Sequence, residues 1–79
     1  MNNTKFASVL GKVREIGKAV GAFTCYNFEQ LEAVVRAAEA HRAPVIVLIG
    51  PSSFQSIGGE RLVRGFRAAI AHASVDVLL

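Results

Sequence analysis

Ala43-Pro44-Val45-Ile46-Val47-Leu48-Ile49-Gly50-Pro51-Ser52-Ser53 is the stretch that decides the fold. Pro44 lacks an amide hydrogen and disfavours helical geometry in the residue before it, so any helix upstream must end here. Five apolar, mostly β-branched residues follow, without the alternation of a strand that keeps one face wet. Such a run predicts a strand buried on both faces, as in a parallel sheet covered by helices. Gly50-Pro51 then turns the chain.

Upstream, Asn27 and Gln30 have the spacing of a capping box, which satisfies two free backbone donors at a helix start. Leu31, Val34, Val35 and Ala38 supply that helix with an apolar stripe. His41-Arg42 close its last turn, where cations meet the negative end of the helix. Residues 19–23 read as an earlier strand. Before it, Asn3 or Thr4 caps a helix running to about residue 16, with Phe6, Val9, Leu10, Val13 and Ile16 on one side and Gly17 as its stop.

Downstream, a short helical piece follows Pro51, and Gly58-Gly59 reads as a loop needing unusual backbone angles. Residues 60–73 form the next helix, with Leu62, Val63, Phe66, Ala69, Ile70 and Ala73 inward. A third strand begins near Val75 and reaches Leu79.

Strand starts at 19, 45 and 75 lie 26 and 30 residues apart. That spacing is a βα repeat with right-handed crossovers, which leads to a (β/α)8 barrel or a doubly wound sheet. The leading helix, placed to plug the bottom of a barrel, favours the barrel. So does the absence of GxGxxG after the first strand. The expected architecture is the (α)βαβαβ amino-terminal portion of a TIM barrel, with residues 1–79 one segment of one incomplete domain. The apolar content of 52% and mean hydropathy of +0.39 fit that view, because they imply surfaces meant for further elements or a partner chain.

One cysteine, Cys25, excludes an internal disulfide and fits a reducing, cytoplasmic setting. No apolar run reaches the ~20 residues of a membrane span. Lys5, Lys12, Arg14 and Lys18 against Glu15 resemble an organellar leader, but the same residues make an ordinary surface helix. Net charge +3 and a pI near 9.6 suit an anionic, phosphorylated substrate or a nucleic acid, and decide nothing alone. Arg61, Arg64 and Arg67 recur every three residues, yet without an aromatic platform they read as a solvated helix face rather than a nucleic-acid surface.

In βα folds the ligand lies beyond the carboxyl ends of the strands. That rule selects Thr24, Cys25, Tyr26 and Asn27 after the first strand, and Gly50, Pro51, Ser52 and Ser53 after the second. Ser52 and Ser53 would offer hydroxyls and amides to a phosphate; ordinary turn chemistry is the competing reading. His41 and His72 fall at the opposite ends, where helix-end contacts are expected rather than a metal. Cys25 has no histidine on its face and reads as a half-buried structural thiol rather than a nucleophile.

Gly21-Ala22-Phe23-Thr24-Cys25-Tyr26-Asn27-Phe28-Glu29-Gln30-Leu31-Glu32-Ala33-Val34 resembles the start of the class II, zinc-dependent ketose-bisphosphate aldolases. That family reads Pro-Ala-Phe-Asn, a variable pair, then Asn and a hydrophobic-Glu helix start. Ala43-Pro44-Val45-Ile46-Val47 is similar to its second strand, and Ile57-Gly58-Gly59-Glu60 to its Gly-Gly loop. The resemblance covers nearly the whole chain in order.

It implies a (β/α)8 lyase that reversibly cleaves a phosphorylated ketose, giving a triose phosphate, and that forms homo-oligomers when full-length. In the family, zinc held by three histidines polarises the ketone. A His-Leu-Asp-His type sequence at the third strand carries the acid/base aspartate and the first zinc histidine. Leu79 precedes that sequence, so the expectation is no catalytic residue, no metal ligand and no activity within these 79 residues. Thr24, Gly50, Ser52 and Ser53 are the expected substrate-facing positions. Thr24 stands where the family has asparagine, and Gly50 where it has Ser or Thr, so either the substrate differs or the activity has drifted. Two other readings stay open: a non-catalytic interaction or oligomerisation segment derived from the barrel, and a small phosphate-binding α/β module.

Overall fold

A computed structural model describes residues 3–56 and 58–79, with side chains from Lys5 onward. The chain runs α1 (Asn3–Glu15), β1 (Gly21–Thr24), α2 (Phe28–Ala40), β2 (Val45–Leu48), α3 (Pro51–Gln55), α4 (Gly59–Ile70) and β3 (Val77–Leu78). The capping roles expected of Asn3 and Thr4 lie outside the described side chains, as does Ile57 of the Gly-Gly loop.

The three strands form one parallel sheet in the order β1-β2-β3. Gly21 pairs with Val45 and Val45 with Val77, while Ala22 pairs with Ile46 and Ile46 with Leu78. In-register parallel partners share a face. Val45, Val47 and Val77 therefore point the same way, into a core with Cys25, Leu31, Ala38 and Phe66. Phe66 is fully buried there, worth about 2–3 kcal/mol by area alone. Phe28 meets it edge to face at 5.3 Å.

The other face corrects the sequence reading. β2 is not buried on both sides: Ile46 is half-buried and Leu48 is 45% exposed, while every residue of β1 is exposed. Unbroken apolarity marks a strand suited to two-sided cover; here the second face is open at Leu48, whereas Leu78, in register with Ile46 on that face, is buried. β1 also sits later than expected, starting at Gly21 rather than residue 19. α4 starts at Gly59 and ends at Ile70, and Ala69 faces solvent, not the core.

The connections into β1 and β2 close with the same device. After α1, the Lys18 amide donates to Val13 O and Gly17 to Arg14 O, with Gly17 at φ +70°. After α2, Ala43 donates to Ala38 O and Arg42 to Glu39 O, with Arg42 at φ +50°. Each is a Schellman motif, built on glycine in one case and on arginine in the other. Glu39 also accepts from the Ser74 amide and hydroxyl at 2.9 and 3.1 Å, tying the end of α2 to the α4–β3 turn.

α1 lies beside the amino ends of β2 and β3. Val9 is buried. Lys5, Val9, Lys12, Val13 and Ile16 line a cleft of about 700 Å3 against Arg42, Pro44 and residues 73–77, and Lys5 reaches Asp76 at 3.4 Å.

Candidate functional site

The site is best built from the first βα turn. β1 ends at Thr24, but the ladder continues one step, since the Cys25 amide donates to Leu48 O at 3.0 Å. Alternation then sends Cys25 to the helix side and leaves Thr24 and Tyr26 on the opposite side. Their burial agrees: Cys25 is fully buried, Thr24 is exposed and Tyr26 is 60% exposed. Burial pushes the Cys25 thiol above its ordinary pKa. A neutral, inaccessible thiol is a packing group rather than a nucleophile, and it is more deeply buried than the sequence predicts.

Asn27 caps α2, its side chain accepting from the Gln30 amide at 2.8 Å. The return bond differs from expectation. Gln30 Oε1 accepts from the Tyr26 amide at 2.7 Å, one residue before the cap. The pair still satisfies two backbone donors. The shift fixes the backbone of Tyr26 rather than that of Asn27.

Across the gap, Gly50 has extended geometry and precedes α3, with Pro51 in its first turn. Phe54 donates back to Gly50 O at 3.0 Å. Ser52 is exposed and Ser53 half-buried at this same end, and the Ser53 carbonyl accepts from the amide and hydroxyl of Ser56. A β-carbon placed on Gly50 would lie 3.8 Å from Cε1 of Tyr26, ordinary contact distance. Thr24, Gly50, Ser52 and Ser53 are therefore brought to one end of the sheet. Tyr26 joins them, and sequence reasoning placed it at this end without assigning it a role. Its signal was the strand alternation that pairs it with Thr24 and opposes it to Cys25.

α3 is held in place by a close approach. A β-carbon on Gly59 would overlap the Phe54 carbonyl oxygen and come within 2.8 Å of Ser53 O. Gly59 thus serves contact, and neither glycine of the pair serves unusual angles: Gly58 has φ −91° and open space around it, and Gly17 holds the positive-φ glycine position among the described residues.

The imidazoles of His41 and His72 occupy the α2–β2 and α4–β3 turns, at the amino ends of the strands and away from Thr24 and Gly50. Among the described residues, no three His, Cys, Asp or Glu side chains cluster closely enough to hold a metal. The described residues therefore do not fit a three-ligand zinc site. Arg61, Arg64 and Arg67 are exposed, and Arg64 pairs with Glu60 at 2.9 Å. No helix among the described residues is long and apolar enough to cross a membrane.

The family model described as "Fructose-bisphosphate aldolase class-II" matches residues 4–79. A fructose-bisphosphate aldolase from Streptococcus pneumoniae is 35% identical over 60 residues, covering 76% of this chain and 20% of the relative. One from Streptococcus pyogenes is 41% identical over 49 residues, covering 62% and 17%. One from Thermus caldophilus is 36% identical over 69 residues, covering 87% and 22%. The chain spans about one fifth of the length of these curated relatives. No solved structure matches. The match to the family model runs through both strand-to-helix turns and the Gly-Gly loop, and on that ground the chain belongs to the class II fructose-bisphosphate aldolase family.

Proposed function

We propose that this chain is the amino-terminal portion of a class II aldolase barrel, and that the whole protein is a cytoplasmic, zinc-dependent, homo-oligomeric lyase that reversibly cleaves a phosphorylated ketose. The observation that carries this is the co-location of Thr24, Gly50, Ser52 and Ser53 at the carboxyl end of a parallel β1-β2-β3 sheet, within a family match that spans residues 4–79. The open sheet face, with Ala22, Thr24 and Leu48 exposed, is the surface that a barrel interior would use. In this reading Thr24 faces the substrate, the Gly50–Ser53 turn receives a phosphate, and metal ligands and the acid/base carboxylate come from strands beyond those described here.

The purified 79-residue chain, incubated with zinc and fructose 1,6-bisphosphate, is then expected to release no triose phosphate. Turnover would refute this division of labour. A second reading, a non-catalytic interaction segment, draws on the exposed Phe23, Tyr26, Leu48 and Phe54. Analytical ultracentrifugation separates the two: a discrete, cooperatively unfolding oligomer of the chain favours the interaction segment.

A further inference from the structure

We propose that Tyr26 is a specificity-determining residue of this site, its phenol donating to a phosphate oxygen of the ligand from beside Gly50. The inference rests on the functional reading above and deepens it by adding a residue to which that reading gives no role. Three observations carry it.

First, the backbone at Tyr26 is held: the Cys25 amide continues the ladder to Leu48 O, and the Tyr26 amide donates to Gln30 Oε1 at 2.7 Å. Second, the ring lies beside position 50, since a β-carbon there would sit 3.8 Å from Cε1. Gly50 offers no side chain, so the nearest side-chain donor at that end of β2 is supplied across the gap from β1 or from the following serines. Third, Tyr26 is 60% exposed and lies outside the core cluster, whereas its neighbour Cys25 is fully buried within it. An exposed amphipathic ring beside position 50, at the end of the sheet that carries Thr24 and the Ser52-Ser53 turn, has the chemistry to recognise a phosphorylated sugar rather than to fill space.

The test uses the 79-residue chain, isotopically labelled and followed by NMR during titration with fructose 1,6-bisphosphate, with inorganic phosphate and with fructose. The expected result is shifts at the amides of Tyr26, Gly50, Ser52 and Ser53 with the two phosphate-bearing ligands and not with fructose. Tyr26→Phe, which keeps the ring, should weaken the apparent affinity by about ten- to hundredfold, the effect of losing one hydrogen bond to a charged acceptor. Gly50→Ser in that background should recover part of the loss, which a purely structural role for Tyr26 would not produce. Wild-type and Tyr26→Phe chains binding the bisphosphate equally would overturn the role of Tyr26 while leaving the substrate-facing reading intact. An absence of shifts at all four amides in the wild-type chain would overturn both.

Discussion

Gly59 lies so close to the Phe54 carbonyl oxygen that no β-carbon fits between them. This contact sets the distance between α4 and the short α3, and with it the position of Ser52 and Ser53. Gly59→Ala is therefore expected to destabilise the chain by about 1–3 kcal/mol, the usual cost of overpacking. Urea denaturation measures the loss. Gly58→Ala, at a position with open space and ordinary angles, should cost much less.

Gly11 within α1 and Gly17 just after it separate backbone angle from packing. Neither Gly11 nor Gly17 would meet any atom within 4 Å if given a β-carbon, but only Gly17 has positive φ. Gly11→Ala should stabilise by about 0.5–1 kcal/mol through helix propensity. Gly17→Ala should destabilise by about 1 kcal/mol, because an L-residue must enter the left-handed region. Opposite signs in thermal melts confirm this; equal signs contradict it.

Arg42 presents the reverse case, with an arginine at the Schellman position where glycine is preferred. Arg42→Gly is expected to raise stability by about 0.5–1 kcal/mol. The gain is limited because glycine also enlarges the entropy of the unfolded chain.

The thiol of Cys25 gives a pH prediction. Its pKa in the folded chain lies above the ordinary value of 9.0 because burial disfavours the thiolate. The unfolded chain therefore releases this proton first as pH rises. The stabilisation is complete well below pH 9 and is lost as pH climbs from about 9 through the folded-state pKa. Cys25→Ala should flatten that alkaline fall while costing stability at neutral pH through the lost packing. An unchanged alkaline slope would show that another group controls it.

Much of this was legible in the residues. The run from Val45 to Ile49 between Pro44 and Gly50 marks a parallel strand, and the Asn27–Gln30 spacing marks the start of α2. Both depend on local chemistry that a linear sequence records. Burial of β2 on one side only was not legible, because an apolar strand reads the same whether or not its second cover is present. The purpose of Gly59 and the neighbourhood of Tyr26 and Gly50 were equally hidden. They depend on distances between elements separated by loops, which no spacing rule encodes. Of the candidate site, Thr24 and the 50–53 turn followed from the rule that ligands lie beyond strand carboxyl ends.

The capping pair is tested by two single substitutions. Asn27→Ala should cost about 1 kcal/mol. Gln30→Ala should cost less, and it should loosen the Tyr26 amide, seen as faster hydrogen exchange there. Exchange that accelerates at Asn27 instead of Tyr26 would contradict the observed bond.

The central claim, that these residues are a working first part of a class II aldolase, is tested most directly by substitution into a relative. The matched segment of the Streptococcus pneumoniae fructose-bisphosphate aldolase, 35% identical over 60 residues, would be replaced by the corresponding residues of this chain, and cleavage of fructose 1,6-bisphosphate measured with and without zinc. The account predicts a folded chimera with zinc-dependent cleavage, weakened relative to the parent and raised by Thr24→Asn and Gly50→Ser. A soluble, folded chimera that cleaves nothing, with or without those two changes, would contradict it.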